Sequence, residues 1–136
     1  VNLFDQLRRD EGDKGSIYYV NGIPHVGIGH NLVSGPPLSH DLTLAIAKAD
    51  TSMIVDSLSS HIIGWNRLSD CRQAVLIGLA FQCGVSGLYG FVRMLQAIAL
   101  EDWGAAAAEI RRSELAHENV DRTERLARQM ESDTWV

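Results

Sequence analysis

Apolar positions fall at Leu3, Phe4 and Leu7, a helical spacing, with Asn2 placed to cap the helix and Asp5 three residues later. This first helix is predicted to end near Asp10-Glu11-Gly12. The pattern then changes. Ile17-Tyr18-Tyr19-Val20 is β-branched and aromatic, Asn21-Gly22 is a hairpin turn signal, and Ile23-Pro24-His25-Val26-Gly27-Ile28-Gly29 returns. Residues 13 to 32 are therefore predicted to form a small antiparallel sheet. Ser34-Gly35-Pro36-Pro37 is a loop, Ser39 a natural N-cap, and Asp41 to about Ser60 runs without Gly or Pro. Leu42, Ile46, Ala49, Met53 and Leu58 define its predicted apolar side, and it would span about 30 Å. A second block starts at Asp70, with Gln73 as a capping-box partner, and stays apolar through Phe81 to Gly84. Further helices are predicted over Phe91–Ile98, Glu101–Ser113 and Asn119–Glu131.

The order is helix, small sheet, long helix, then helices only. That is an α+β fold with its sheet confined to the N-terminal third. Two or three short strands need something to pack against, so a single domain over residues 1–136 is expected to have two lobes. The N-terminal lobe would cover about 12–60, and the helical C-terminal lobe about 61–136 plus the helix at 2–11. A long helix connecting two lobes leaves a cleft, and clefts are where substrates usually bind.

Composition narrows the function classes. The chain has 136 residues, 46% of them hydrophobic and 21% charged, which suits one ordered domain. A net charge of −5 argues against nucleic acid or an anionic membrane as partner, and equally against electrostatic capture by a polyanionic wall. Cys71 and Cys83 lie in one predicted helix, about 18 Å apart. That is too far for a disulfide, so both are read as core thiols of a protein made in a reducing compartment. The start, Val1-Asn2-Leu3-Phe4-Asp5, has no basic stretch leading into an apolar run, and Val1 in place of Met suggests processing or trimming. No run of roughly 18 uninterrupted apolar residues is expected to cross a membrane. His40, His61 and His117 show no metal-ligand spacing, and Gly84, Gly87 and Gly90 read as turn glycines rather than a phosphate loop. No metal and no cofactor are expected.

Glu11 stands where the first helix gives way to the sheet. Cleaving a glycosidic bond requires a proton on a poor leaving group, and a carboxylic acid in a cleft can supply it. A lone Glu at a helix end is ordinarily a surface residue, so its surroundings must carry the assignment. Asp10-Glu11-Gly12, then Ile17-Tyr18, then Gly27-Ile28-Gly29-His30 resembles the opening of the T-even phage lysozyme family. The resemblance continues in order through Phe81-Gln82-Cys83-Gly84, Gly90-Phe91, Arg93-Met94-Leu95-Gln96, Trp103, Arg122, Arg125 and Asp133-Thr134-Trp135. No single piece is highly specific; the ordered set is.

That family pattern is a Glu, an Asp on the hairpin, and a Thr just before the GxGH segment. Glu11 matches the first. Val20, or Tyr19 if the gap is shifted, stands where the family has its Asp, and His25 where it has its Thr. Two of three catalytic positions are altered. The far face of the sugar still needs a group that activates water or forms an intermediate. His25 can do either, because imidazole is the side chain that changes charge nearest neutral pH. The expected catalytic pair is Glu11 and His25, with Asn21 as a helper at the substrate. The bland alternative is that His25 only lines the hairpin and Glu11 acts alone.

The resemblance implies further roles. Gln82 and Asn119 would line the substrate cleft, Arg122 would orient the Glu11 carboxylate, and His30 would pair structurally with Asp50 on the long helix. It implies a lysozyme-like fold and a lysozyme that hydrolyses bacterial peptidoglycan, causing lysis. The expected enzyme is a monomer with no nucleic acid or membrane-inserted partner, held in the host cytoplasm until released to the wall. Two other readings stay open: a lytic transglycosylase using Glu11 alone, and an inactive glycan-binding module.

Overall fold

The computed structural model describes residues 2–136; Val1 lies outside them. Two compact units emerge, one up to Thr43 and one from Leu44 onward. In the first, α1 (Leu3–Glu11) precedes a three-stranded antiparallel sheet of β1 (Lys14–Val20), β2 (Ile23–Gly27) and β3 (His30–Asn31). The long helix α2 (His40–His61) begins at the end of that unit and runs into the second. The second continues with α3 (Asp70–Tyr89), α4 (Val92–Ala99), α5 (Trp103–Arg112), α6 (Leu115–Glu118) and α7 (Val120–Ser132). The α+β order read from the sequence is the order observed.

Local chemistry accounts for the first unit. The Asn2 side chain accepts from the Phe4 and Asp5 amides at 2.9 and 3.1 Å, and Asp5 accepts from the Asn2 amide at 3.1 Å, a reciprocal capping box. Between β1 and β2, Asn21 and Gly22 both take left-handed backbone (φ 50° and 78°). That is the type I′ turn whose twist matches a tight hairpin. It fixes the register: Val20 faces Ile23, Tyr19 faces Pro24, and Tyr18 faces His25. A bulge between Tyr18 and Lys14 then shifts the pairing so that Lys14 faces Gly27. None of the described residues of this unit is fully buried.

The second unit holds the core. Leu58 from α2, Val75, Leu76 and Leu79 from α3, Met94 and Ile98 from α4, Ile110 from α5 and Met130 from α7 pack together with almost no exposure. By length and a mean hydropathy of 1.2 alone, α3 is long and apolar enough to cross a membrane, although Asp70, Arg72, Gln73 and Gln82 interrupt its apolar run. In this fold its Val75, Leu76 and Leu79 are wholly buried against the other helices.

Arg72, early in α3, ties the unit together. Its Nε donates to the Met130 carbonyl at 2.9 Å and one Nη to the Glu131 carbonyl at 3.3 Å. The other Nη lies 3.2 Å from Asp133, and the guanidinium sits 3.9 Å from the centre of the Trp103 ring. Ser69, the N-cap of α3, also bonds to Asp133. The end of α7 is thereby held to the start of α3.

The compact units divide between Thr43 and Leu44, and α1 groups with the strands. Two observations fit that division. Ile54, Val55 and Leu58 bind the rest of α2 to the helical core, and Glu11 lies against the turn after β2. The predicted stripe on α2 is wrong at its N-terminal end, since Leu42, Ile46 and Met53 are 54%, 51% and 73% exposed. The α3 cap is Ser69, which accepts from the Arg72 amide at 3.2 Å. Gln73 reaches back to the Trp65 and Leu68 carbonyls at 3.1 and 3.4 Å, not to a capping box at Asp70. α3 also breaks at Gly84, and a one-turn helix over Trp65–Arg67 and the short α6 were absent from the sequence reading.

Candidate active site

Glu11 is the last residue of α1, and its side chain lies over the turn between β2 and β3. Gly29 in that turn has φ +71°, and a Cβ built on it would stand 3.4 Å from Glu11 Oε2 and 3.5 Å from Cγ. Any larger residue would meet both a strained backbone and the carboxylate. The GxGH segment is therefore a tight turn that lets β3 return beneath Glu11. The carboxylate itself is exposed and makes no ion pair with Arg8, Arg9 or Lys14, whose side chains are engaged elsewhere.

His25 sits mid-strand in β2, half-buried, between Tyr18 of β1 and Asn31 of β3. Its Nδ1 is 2.9 Å from the Ile23 carbonyl. A carbonyl can only accept, so the neutral ring carries its proton on Nδ1 and its lone pair on Nε2. The Tyr18 ring centre is 5.6 Å from that of His25. Directly paired residues share a face of a sheet and neighbours along a strand alternate. Tyr18, Val20, Ile23 and His25 thus share one face, and Tyr19 and Pro24 the other. Of the two candidates for the altered acidic position, Val20 shares the face of His25 and Tyr19 does not. Asn21, at the hairpin tip, is exposed, and its backbone makes the turn.

Gln82, Asn119 and Arg122 lie in the second unit. Asn119 caps α7, its Oδ1 accepting from the Arg122 amide at 3.0 Å, and one Arg122 Nη donates to the Gly78 carbonyl at 3.1 Å. Gln82 follows Gly78 by one turn of α3. The Gln82 Oε1 is buried without a hydrogen-bond partner, just before the break at Gly84. Asn119 and Arg122 thus hold backbone within their own unit. His30 lies in β3 of the first unit and Asp50 in the α2 segment of the second.

The sequence reading missed Tyr18 as a partner of His25, and Lys14, whose ammonium stands 4.6 Å above the Tyr18 ring. The signal was present in the Asn-Gly turn, because a two-residue hairpin loop fixes which residues face each other. The four-residue return to Lys14 was not legible, since it depends on the bulge.

No protein-family model matches the chain. Among curated proteins, it is 25% identical over 162 aligned positions to a probable T4-type lysozyme of Dictyostelium discoideum, covering 98% of this chain and 95% of the relative. The alignment is longer than the 136-residue chain itself, so the relative holds insertions that are absent here. The chain is also 26% identical over 134 positions to the pre-baseplate central spike protein Gp5 of Enterobacteria phage T4, covering 78% of this chain but only 23% of that protein. In sequence, and in the order of its helices and strands, the chain is T4-lysozyme-like.

Proposed function

We propose that the protein is an N-acetylmuramidase, hydrolysing the β-1,4 bonds between N-acetylmuramic acid and N-acetylglucosamine in bacterial peptidoglycan. The observation that carries the reading is Glu11, seated on the Gly29 turn in a chain 25% identical to a probable T4-type lysozyme across 98% of its length. Its carboxyl group donates a proton to the glycosidic oxygen as the bond to the anomeric carbon breaks. Because the side chain is exposed in the free protein, bound glycan must displace water from it before it acts as an acid. On the other face of the sugar, His25 Nε2 takes a proton from water, and the resulting hydroxide oxygen bonds to the anomeric carbon. The imidazolium and the Glu11 carboxylate are restored by proton exchange with solvent. Asn21 assists at the substrate from the hairpin tip.

A second reading is favoured by one feature, the apolar Val20 in place of an acid. A lytic transglycosylase needs only the acid, because the muramic acid's own hydroxyl attacks. Chromatography of digested peptidoglycan separates the two. Reducing ends support the hydrolase, and 1,6-anhydro ends would replace it with the transglycosylase.

A further inference from the structure

We propose that Tyr18, clamped by Lys14, is a positioning residue that holds the His25 imidazole with Nε2 presented as its only basic nitrogen. The inference rests on the assignment of His25 as base, and it adds two residues to which the sequence resemblance gives no role in the reaction.

A histidine base needs its lone pair on one defined nitrogen, aimed in one direction. For His25, the 2.9 Å contact from Nδ1 to the Ile23 carbonyl supplies the first requirement. That partner lies only two residues away on the same strand. Nothing else on β2 keeps the ring from turning about its side-chain bonds and exchanging one nitrogen for the other. The wall that prevents it comes from β1. Tyr18 is the direct cross-strand partner of His25, and the two rings lie 5.6 Å apart, inclined by 30°. Aromatic pairs at such a separation bias one ring orientation by roughly two- to tenfold.

Tyr18 is itself held. The bulge between Lys14 and Tyr18 re-aims Lys14 so that its ammonium lies 4.6 Å above the Tyr18 ring. Among the described residues the Tyr18 hydroxyl takes part in no hydrogen bond, so the ring rather than the hydroxyl is the working part. The result is a stack of ammonium, phenol and imidazole running along one face of the hairpin and ending at the nitrogen that meets water.

The test is long-range proton–nitrogen NMR on uniformly ¹⁵N-labelled protein, read beside turnover on soluble peptidoglycan fragments. In the wild type, His25 should show a single neutral tautomer protonated at Nδ1. Tyr18→Phe keeps the ring and should retain both that signature and kcat. Tyr18→Leu should give averaged nitrogen shifts of mixed tautomers and a roughly tenfold lower kcat, with KM little changed. Lys14→Met, which leaves the hairpin side chains otherwise intact, should shift the tautomer balance the same way by a smaller amount. It also stands in if Tyr18→Leu does not fold. A single Nδ1-protonated tautomer persisting in Tyr18→Leu, or in Lys14→Met where that is the folded variant, overturns the proposal. Failure of the underlying assignment looks different: His25→Ala would keep full turnover while the tautomer still responded to Tyr18.

Discussion

Replacing Arg72 with alanine is predicted to destabilise the helical unit by about 3 kcal/mol. The guanidinium is only 12% exposed and serves four partners from α5 and the end of α7. Removing it leaves the Met130 and Glu131 carbonyls, at the end of α7 where no intrahelical donor remains, without their bonds at 2.9 and 3.3 Å. Losing a charged donor to a partly buried carbonyl costs about 1.5–3 kcal/mol. Water can replace the bond at exposed Glu131, so most of that loss comes from Met130. The Trp103 contact adds about 0.5–2 kcal/mol. Asp133 is 37% exposed, so its ion pair is discounted to at most about 1 kcal/mol. An unfolding entropy of about 2.1 cal/mol/K per residue converts 3 kcal/mol in a chain of this size to a Tm lower by about 10 °C. Differential scanning calorimetry at neutral pH measures it directly. Arg72→Lys keeps the charge without the planar fork and should recover less than half of the loss. An alanine variant melting within about 2 °C of the wild type, or a lysine variant equal to it, would refute this account of the hub.

Further predictions concern the site and pH. His25→Ala should lower turnover on purified cell walls by about 10²-fold, and His25→Thr should not restore it, since the acid that stands beside that threonine in the family is absent at Val20. Gly29→Ala should cost about 1 kcal/mol or more of stability from its left-handed backbone, a loss that calorimetry reads. The Arg111 guanidinium, 2.9 Å from Glu124, holds that carboxyl below its ordinary value of 4.5. A depressed carboxyl contributes stability above its unfolded pKa and loses it as pH falls through the folded one. The Tm advantage of wild type over Glu124→Gln should therefore be present at pH 7 and shrink in melts recorded below pH 4.5.

What the sequence made legible was local. The capping box at Asn2 and Asp5 and the Asn-Gly turn each act within a few residues, so α1 and the hairpin stand close to where they were read. The long helix was read correctly in extent, but its apolar face was not. Leu42, Ile46 and Met53 obey helical spacing yet remain exposed, and only tertiary packing selected Ile54, Val55 and Leu58 for the core. Arg72 was invisible for a related reason: its carbonyl and carboxylate partners lie about sixty residues away on α7. Glu11 and His25 were proposed from the order of motifs. The contact of Glu11 with Gly29 and the Nδ1 bond of His25 needed coordinates, because turn and side-chain geometry are not written in residue spacing.

The central claim, that Glu11 is the acid of a peptidoglycan hydrolase, is tested most directly by digesting purified peptidoglycan with the wild type and with Glu11→Gln. The products are then separated by reversed-phase chromatography with mass detection. The account predicts muropeptides with reducing N-acetylmuramic acid ends from the wild type. From a Glu11→Gln variant that melts normally, it predicts at least a 10²-fold slower release. Release by that variant at close to the wild-type rate would contradict it.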